Sequence, residues 1–416
     1  MRPAFCAPSR FAASSIAAIV LVSVAASVAL ALPPVKPRPG GGQHPHGSHQ
    51  PQTPGPDQTG QWADCSAALD ASYRGREKNA AADKRSALEA LKARAKSEHW
   101  TFDVGYTEVM DQSLDSLTGE RLDPHFLQNA SRQHAFAVEA EQIDKKLALA
   151  HKVSAPSGRG ACQANAHVFN WRDAGMVTPV RKQGHCGSCW DFAAIGAFES
   201  NYVLRNSTRI DASEQYALDC ATRPGDNQDA GSCNGANGGP FHGGSHAVFN
   251  WMLTHAVPTE AQDPYTQADQ RCVVNALAKF RAIRWDFVSQ SSRIPAAREI
   301  KQAICDHGGV VASINATPAL QAYKCGVFNE RNPDKGINHS IVIVGWDDNN
   351  HAWLIKNSWS TNWGIAGYGW VDYGTNNIGT AAAWVEAARE RYPAQPIEET
   401  SRLMVRHGLK PSPDRQ

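Results

Sequence analysis

Hydrophobic positions divide the chain into stretches of different character. Residues 11–32 are apolar apart from single serines, follow Arg2 and Arg10, and end on Ala29-Leu30-Ala31 ahead of Pro33-Pro34. A basic start, an apolar centre and a small-x-small end describe a secretory signal, and the prolines that follow would oppose its helix. The length approaches that of a membrane span, so a retained anchor is the alternative. The alanine-rich composition favours cleavage, giving a signal over residues 1–31. Residues 32–61 are rich in Pro, Gly, Gln and His, with almost no large apolar side chain, and are expected to form a flexible linker. His44, His46 and His49 within it read as solvated polymer rather than as a metal tract.

From Trp62 the pattern becomes helical. Residues 84–92 carry Ala and Leu at helical spacing, and residues 124–150 offer Phe126, Phe136, Val138 and Leu147 to Leu149 to a partner surface. A mostly helical unit is therefore predicted over residues 62–160. Beyond it, Phe192 to Glu199 alternates apolar and small residues as a buried helix would, and residues 245–253 repeat the helical pattern. Apolar runs between residues 310 and 384, among them Ile341-Val342-Ile343-Val344, predict a β-rich region. Residues 391–416 are charged and proline-rich and are expected to be an exposed tail.

Composition narrows the class. A chain of 416 residues with 42% hydrophobic and 19% charged residues is neither a single small module nor wholly disordered. Its 41 basic and 40 acidic residues leave a formal charge of +1, which gives no bulk attraction to nucleic acid or to an anionic membrane. Ten cysteines suit several bridges in an ordinary secreted domain.

The chemistry concentrates in three places. In Gln183-Gly184-His185-Cys186-Gly187-Ser188-Cys189-Trp190, Cys189 precedes the predicted helix, so the peptide dipoles at a helix N-terminus would favour its thiolate. Asn338-His339-Ser340 supplies a base ahead of an apolar strand, and Asn357-Ser358-Trp359 an amide that can hold an imidazole in one tautomer, with Trp359 excluding water. Cys189, His339 and Asn357 thus fit the roles of nucleophile, base and orienter. Taken singly, a glutamine by a glycine-rich loop is more often an exposed side chain, and a histidine ahead of a strand a core residue.

These blocks, in this order, resemble the papain-like cysteine peptidases across residues 167–386, with supporting matches at Asn170-Trp171-Arg172, Ser213-Glu214-Gln215, Cys233-Asn234-Gly235 and Asn362-Trp363-Gly364. The resemblance implies an α+β fold of two lobes, a helical lobe bearing Cys189 and an antiparallel β-barrel-like lobe bearing His339 and Asn357, spanning residues 161–390. It implies peptide-bond hydrolysis with Gln183 as oxyanion donor, no cofactor or metal, and the helical segment as a propeptide that inhibits its own enzyme. Gly105 to Asp111 matches part of an inhibitory-propeptide motif. Peptide or protein is the expected substrate and partner, with no nucleic acid, no membrane after signal removal, and a monomeric enzyme secreted or periplasmic. Substrate-contacting residues are expected to be Trp359 and either Gly238 with Gly239, which is preferred, or Gly235 with Ala236.

Other details depart from the family pattern or stay open. Asp191 stands where a small residue is usual, and would oppose thiolate formation if it faced the cleft. His242 and His246 would favour an exopeptidase if they lined the cleft, although solvated loop positions are the plainer reading; otherwise an endopeptidase is expected. A catalytically silent binding relative, or another Cys–His acyl-transfer enzyme, are the rival classes. The resemblance implies bridges Cys186–Cys233 and Cys220–Cys272. Cys305–Cys325 is expected to replace a third, which leaves Cys65 and Cys162 to be removed together by maturation between Val153 and Asn170.

Overall fold

The computed structural model describes residues 65–123, 125–153, 162–221, 230–236, 243–275, 277–334 and 336–411, which belong to one compact unit. The signal, the linker, Gly238, Gly239 and His242 lie outside the described residues. No helix among those described is long and apolar enough to cross a membrane.

The N-terminal segment forms α1 (Ala67–Asn79), α2 (Ala82–Ser97), β1 (Phe102–Val104), α3 (Leu114–Leu117) and α4 (Phe126–Ala150). Ser66 and Ser113 cap α1 and α3 by accepting from Leu69 N and Ser116 N, satisfying donors that a helix start leaves open. In α4 the buried positions Phe126, Ala130, Gln133, Phe136, Ala137 and Ala140 recur every three or four residues and make one stripe. That stripe packs on the main body, where Gln133 Nε2 donates to Trp285 O at 2.6 Å and His134 meets Asp286 at 2.7 Å.

The main body runs β2 (Val168–Asn170), α5 (Cys189–Asn206), α6 (Glu214–Cys220), β3 (Gly231–Ser232), β4 (Gly235–Ala236), α7 (Gly244–Met252), β5 (Ala282–Phe287) and α8 (Ala297–His307). It continues with β6 (Val310–Ile314), α9 (Pro318–Gln321), β7 (Tyr323–Phe328), β8 (His339–Asp347), β9 (Ala352–Lys356), β10 (Tyr368–Asp372), β11 (Thr380–Ala387) and α10 (Ile397–Arg406). Among the described residues the large sheet is ordered β1-β7-β10-β9-β8-β6-β11-β5 with β2 on β8, and every pair except β7–β10 is antiparallel. Helices α5, α6 and α7 form the helical lobe. Helix α5 is buried from Cys189 to Arg205 and packs against β8 and β11, so its first residue is held at the junction of the lobes.

Strand β1 comes from the N-terminal segment and pairs antiparallel with the edge of β7, with Asp103 opposite Cys325. That pairing decides the disulfides. Cys325 bonds to Cys65, and the expected Cys305–Cys325 bridge does not form. Cys305 instead bonds to Cys162, because Trp171 Nε1 donates to Ile304 O and draws the stretch ahead of β2 against the end of α8. Cys186–Cys233 and Cys220–Cys272 are also bridged, and Cys189 is the free thiol among the described residues.

Two other expectations change. Residues 391–411 are not an exposed tail: Leu403 and Met404 of α10 are buried, His407 and Arg406 meet Glu139 of α4 at 2.8 and 2.6 Å, and Tyr392 donates to Asp144 at 2.5 Å. His246 is neither a solvated loop residue nor a cleft residue. It lies in the core beside Trp285 and Phe287, with Nε2 against Ala381 O, and burial pushes its pKa down to about 4.

Asp191, in the first turn of α5, is fully buried and neither carboxyl oxygen has a hydrogen-bond partner. Burial, and then the carboxylates of Glu214, Asp219 and Glu260, raise its pKa well above the ordinary value. These neighbours belong to the helical lobe. A carboxyl whose folded pKa is raised keeps its proton in the folded chain after the unfolded chain has lost it. Its contribution to stability is therefore intact in acid and lost as pH rises above the unfolded pKa of about 4, at about 1.4 kcal/mol per pH unit. Asp191→Asn is expected to flatten the fall in melting temperature between pH 5 and pH 8. An unchanged slope in thermal scans would show that Asp191 does not set it.

The Cys65–Cys325 bond has a second consequence, since it links the N-terminal segment to β7 across 260 residues of sequence. Cutting the chain between residues 153 and 162 is expected to leave one species on a non-reducing gel and two on a reducing gel. Cys65→Ser should give two species under both conditions.

Candidate active site

Cys189 begins α5, where Ser188 makes no side-chain cap, so the first-turn N–H groups and their partial positive charge bear on the thiol. His339 begins β8 and Asn357 follows β9. Because β8 and β9 pair with Val342 opposite Lys356, both side chains come to the same end of the sheet. His339 Nε2 lies 2.8 Å from Asn357 Oδ1, and its ring stacks on Trp359 with centroids 4.6 Å apart. His339 Nδ1 is buried without a hydrogen-bond partner. The amide therefore fixes one ring nitrogen and leaves the other available for proton transfer.

Gln183 is clamped by the same turn. Ser358 Oγ donates to its Oε1 at 2.7 Å, and Gln183 N donates to Ser358 O at 2.9 Å. Its Nε2 is thereby turned outward, donating to Cys186 O at 2.9 Å and to Leu117 O at 3.2 Å. Trp359 Nε1 donates to the same Leu117 carbonyl at 3.3 Å.

Leu117 introduces residues for which the sequence carried no signal. After α3, the N-terminal segment crosses the site as extended chain. Gly119 N and Glu120 N both donate to Asn338 O at 2.9 Å, while Ala236 N donates to Gly119 O at 2.6 Å. Gly235 and Ala236 therefore meet the crossing chain, and the preferred Gly238 and Gly239 lie outside the described residues. Gly119 rests on the loop before Cys189 so closely that a Cβ there would stand 1.9 Å from Gly187 O. Upstream, Gly105 is equally constrained, since a Cβ would meet the ring of Tyr73 at 2.5 Å. The Gly105 to Asp111 stretch is held by Gly105 N to Ala322 O and Thr107 Oγ1 to Gln321 O.

The covered site is electrostatically silent. Burial, and then the Glu120 carboxylate, push the Cys189 thiol up to about 12. Burial likewise pushes His339 down to about 4, against the opposing pull of Asn357. A thiol and a neutral imidazole result, in place of thiolate and imidazolium. Asp191 is not among the groups bearing on Cys189; the carboxylate that opposes the thiolate is Glu120.

The profile of the papain family cysteine proteases matches residues 165–387. The chain is similar to a viral cathepsin of Heliothis zea nuclear polyhedrosis virus, 34% identical over 207 residues, covering 48% of this chain and 50% of that protein. It is also 34% identical over 235 residues to cathepsin L of Sarcophaga peregrina, covering 53% of this chain and 65% of that one. The chain thus spans half to two thirds of the length of these relatives. Among solved structures, the digestive procathepsin L2 proteinase of Tenebrio molitor larval midgut superposes with a TM-score of 0.56 at 22% identity, over 78% of this chain and 95% of its own, and shows the two-lobed fold. With more than half of its residues under the family profile, the chain belongs to the papain family of cysteine proteases.

Proposed function

We propose that the chain is the latent precursor of a secreted or periplasmic endopeptidase. In this reading residues 62–160 are the prodomain and Cys189, His339 and Asn357 carry out the hydrolysis. The observation that carries it is the course of residues 117–120, bound through backbone hydrogen bonds on both sides of the cleft. An extended peptide would bind in the same way, and chain continues from the cleft in both directions, as an endopeptidase requires. Of the two histidines on which the exopeptidase alternative rested, His246 is in the core and His242 lies outside the described residues. The apolar N-terminus and the disulfides favour an oxidising compartment.

Removing residues 117–120 re-exposes the thiol and imidazole and takes Glu120 away. The thiol pKa then falls and the imidazole pKa rises toward the ion pair. Cys189 Sγ attacks the scissile carbonyl, whose oxyanion is held by Gln183 Nε2 and the N–H of Cys189. Imidazolium His339 protonates the leaving amine, and neutral His339 then takes a proton from the water that hydrolyses the thioester. Asn357 keeps the ring in register throughout.

Steady-state kinetics of the processed protein on quenched peptides test this. Cys189→Ala is expected to abolish turnover, His339→Ala nearly so, and Asn357→Ala to cost less, being neither nucleophile nor base. Gln183→Ala should lower acylation by roughly a hundredfold. Near-normal turnover by Cys189→Ala would refute the mechanism. For latency, Gly119→Ala in the full chain is expected to lift the crossing segment off Gly187 and to raise residual activity before processing by about tenfold or more, whereas Gly75→Ala, where a Cβ meets nothing, should not.

A further inference from the structure

Beside Cys189 the prodomain places one side chain in a pocket. Glu120 follows the Gly119 backbone across the cleft and is 4% exposed, its Oε2 lying 3.2 Å from Ser245 Oγ. The backbone of Ser245 also bears on the carboxyl, at the open N-terminus of α7, whose cap residue Gly243 offers no side-chain acceptor. The other oxygen, Oε1, has no partner and sits where a Cβ on Gly244 would stand, 2.2 Å away. The absence of a side chain at position 244 is what makes room for it. No cationic side chain is among the groups that bear on this carboxyl; the side chains that do are Ser245 and Ser340.

The hydroxyl hydrogens narrow the ligand further. Ser245 Oγ lies 2.8 Å from Trp190 O, 3.0 Å from Ser340 Oγ and 3.2 Å from Glu120 Oε2. Trp190 O can only accept, and it is the nearest of the three, so it takes the single Ser245 hydroxyl hydrogen. Ser245 Oγ then faces the pocket with a lone pair. A side chain that both donates and accepts suits this arrangement: a protonated carboxyl or a primary amide. An ionised carboxylate would be buried here with no cation beside it, and an aliphatic side chain would take one partner from the buried Ser245 hydroxyl. Burial holds the Glu120 carboxyl at about 7, so in mild acid it carries the proton that this pocket asks for.

Resting on the peptidase reading above, we propose that the pocket formed by Gly244, Ser245 and Ser340 is a specificity subsite for glutamine or protonated glutamate in the substrate, with Glu120 as its resident in the precursor.

Two measurements test it. In a positional peptide library cleaved by the processed protein at pH 5, one position flanking the scissile bond is expected to favour Gln and Glu over Leu and Phe by tenfold or more in kcat/KM. Glu should fall behind Gln as pH rises to 8, and Ser245→Ala should erase the preference. Cleavage that favours Leu or Phe at every position would overturn the subsite while leaving the peptidase reading intact; no Cys189-dependent cleavage at all would overturn that reading instead. The second measurement needs no turnover. In the intact full chain, alkylation of Cys189 followed by peptide mass mapping is expected to be as slow for Glu120→Gln as for the unaltered protein, and at least tenfold faster for Glu120→Leu. Equal protection by Gln and Leu would overturn the subsite whatever the library shows.

Discussion

The contact of Gly119 with the turn before Cys189 is the constraint on which the covered site depends. Two backbones can lie this close only where neither carries a side chain, and both Gly119 and Gly187 meet that condition. From this contact the hydrogen bonds to Asn338 O and from Ala236 N follow, because they occupy the two rims on either side of it. The pKa values follow as well. Covering the thiol and the imidazole removes water from both, and each then prefers its neutral form. Covering the site does not distort it: His339 keeps its Asn357 partner and Gln183 its Ser358 clamp while the chain lies above them.

The N-terminal segment holds that contact in place from both ends. On one side β1 extends the sheet, Tyr73 donates to the carbonyls of Asn362 and Gly364, and Lys324 pairs with Asp70 at 2.8 Å. On the other, α4 lies on β5, and Arg205 spans Asp144 of α4 and Glu386 of β11 at 2.8 and 2.5 Å. Helix α10 closes over the outer side of α4. Single surface ion pairs contribute little, but Arg205 is buried between two carboxylates, so losing either partner would leave guanidinium donors buried without an acceptor.

Much of this was legible in the sequence, because the candidate catalytic residues sit in short contiguous blocks and the main helices and strands follow their apolar periods. What escaped was decided between segments. The pairing of Cys325 depends on which strand covers the free edge of β7, and β1 is only three residues long, too short to announce itself. Helix α10 has apolar Ile397, Leu403 and Met404 at helical spacing, but its charged neighbours and flanking prolines masked the stripe. Position 191 betrayed a carboxylate and nothing of its direction. Glu120 stands in an irregular stretch, where neither period nor motif marks a residue that fills a pocket in another part of the chain.

The Cys65–Cys325 bond changes what maturation means energetically. A prodomain held only by contacts would dilute away once the connection to the enzyme was cut. One that stays tethered is presented to its own cleft at an effective concentration of order 1 mM, so even a dissociation constant of about 1 μM would leave only about one cleft in a thousand open. On the precursor reading, cutting the main chain is then insufficient, and the tether has to be reduced. The same thiol conditions that break it also keep Cys189 from oxidising, for a nucleophilic thiolate is itself a target of disulfide exchange. On that reading, release of the N-terminal segment and upkeep of the nucleophile are bound to one redox environment, while acid, which protonates Glu120 in its pocket, favours the covered state.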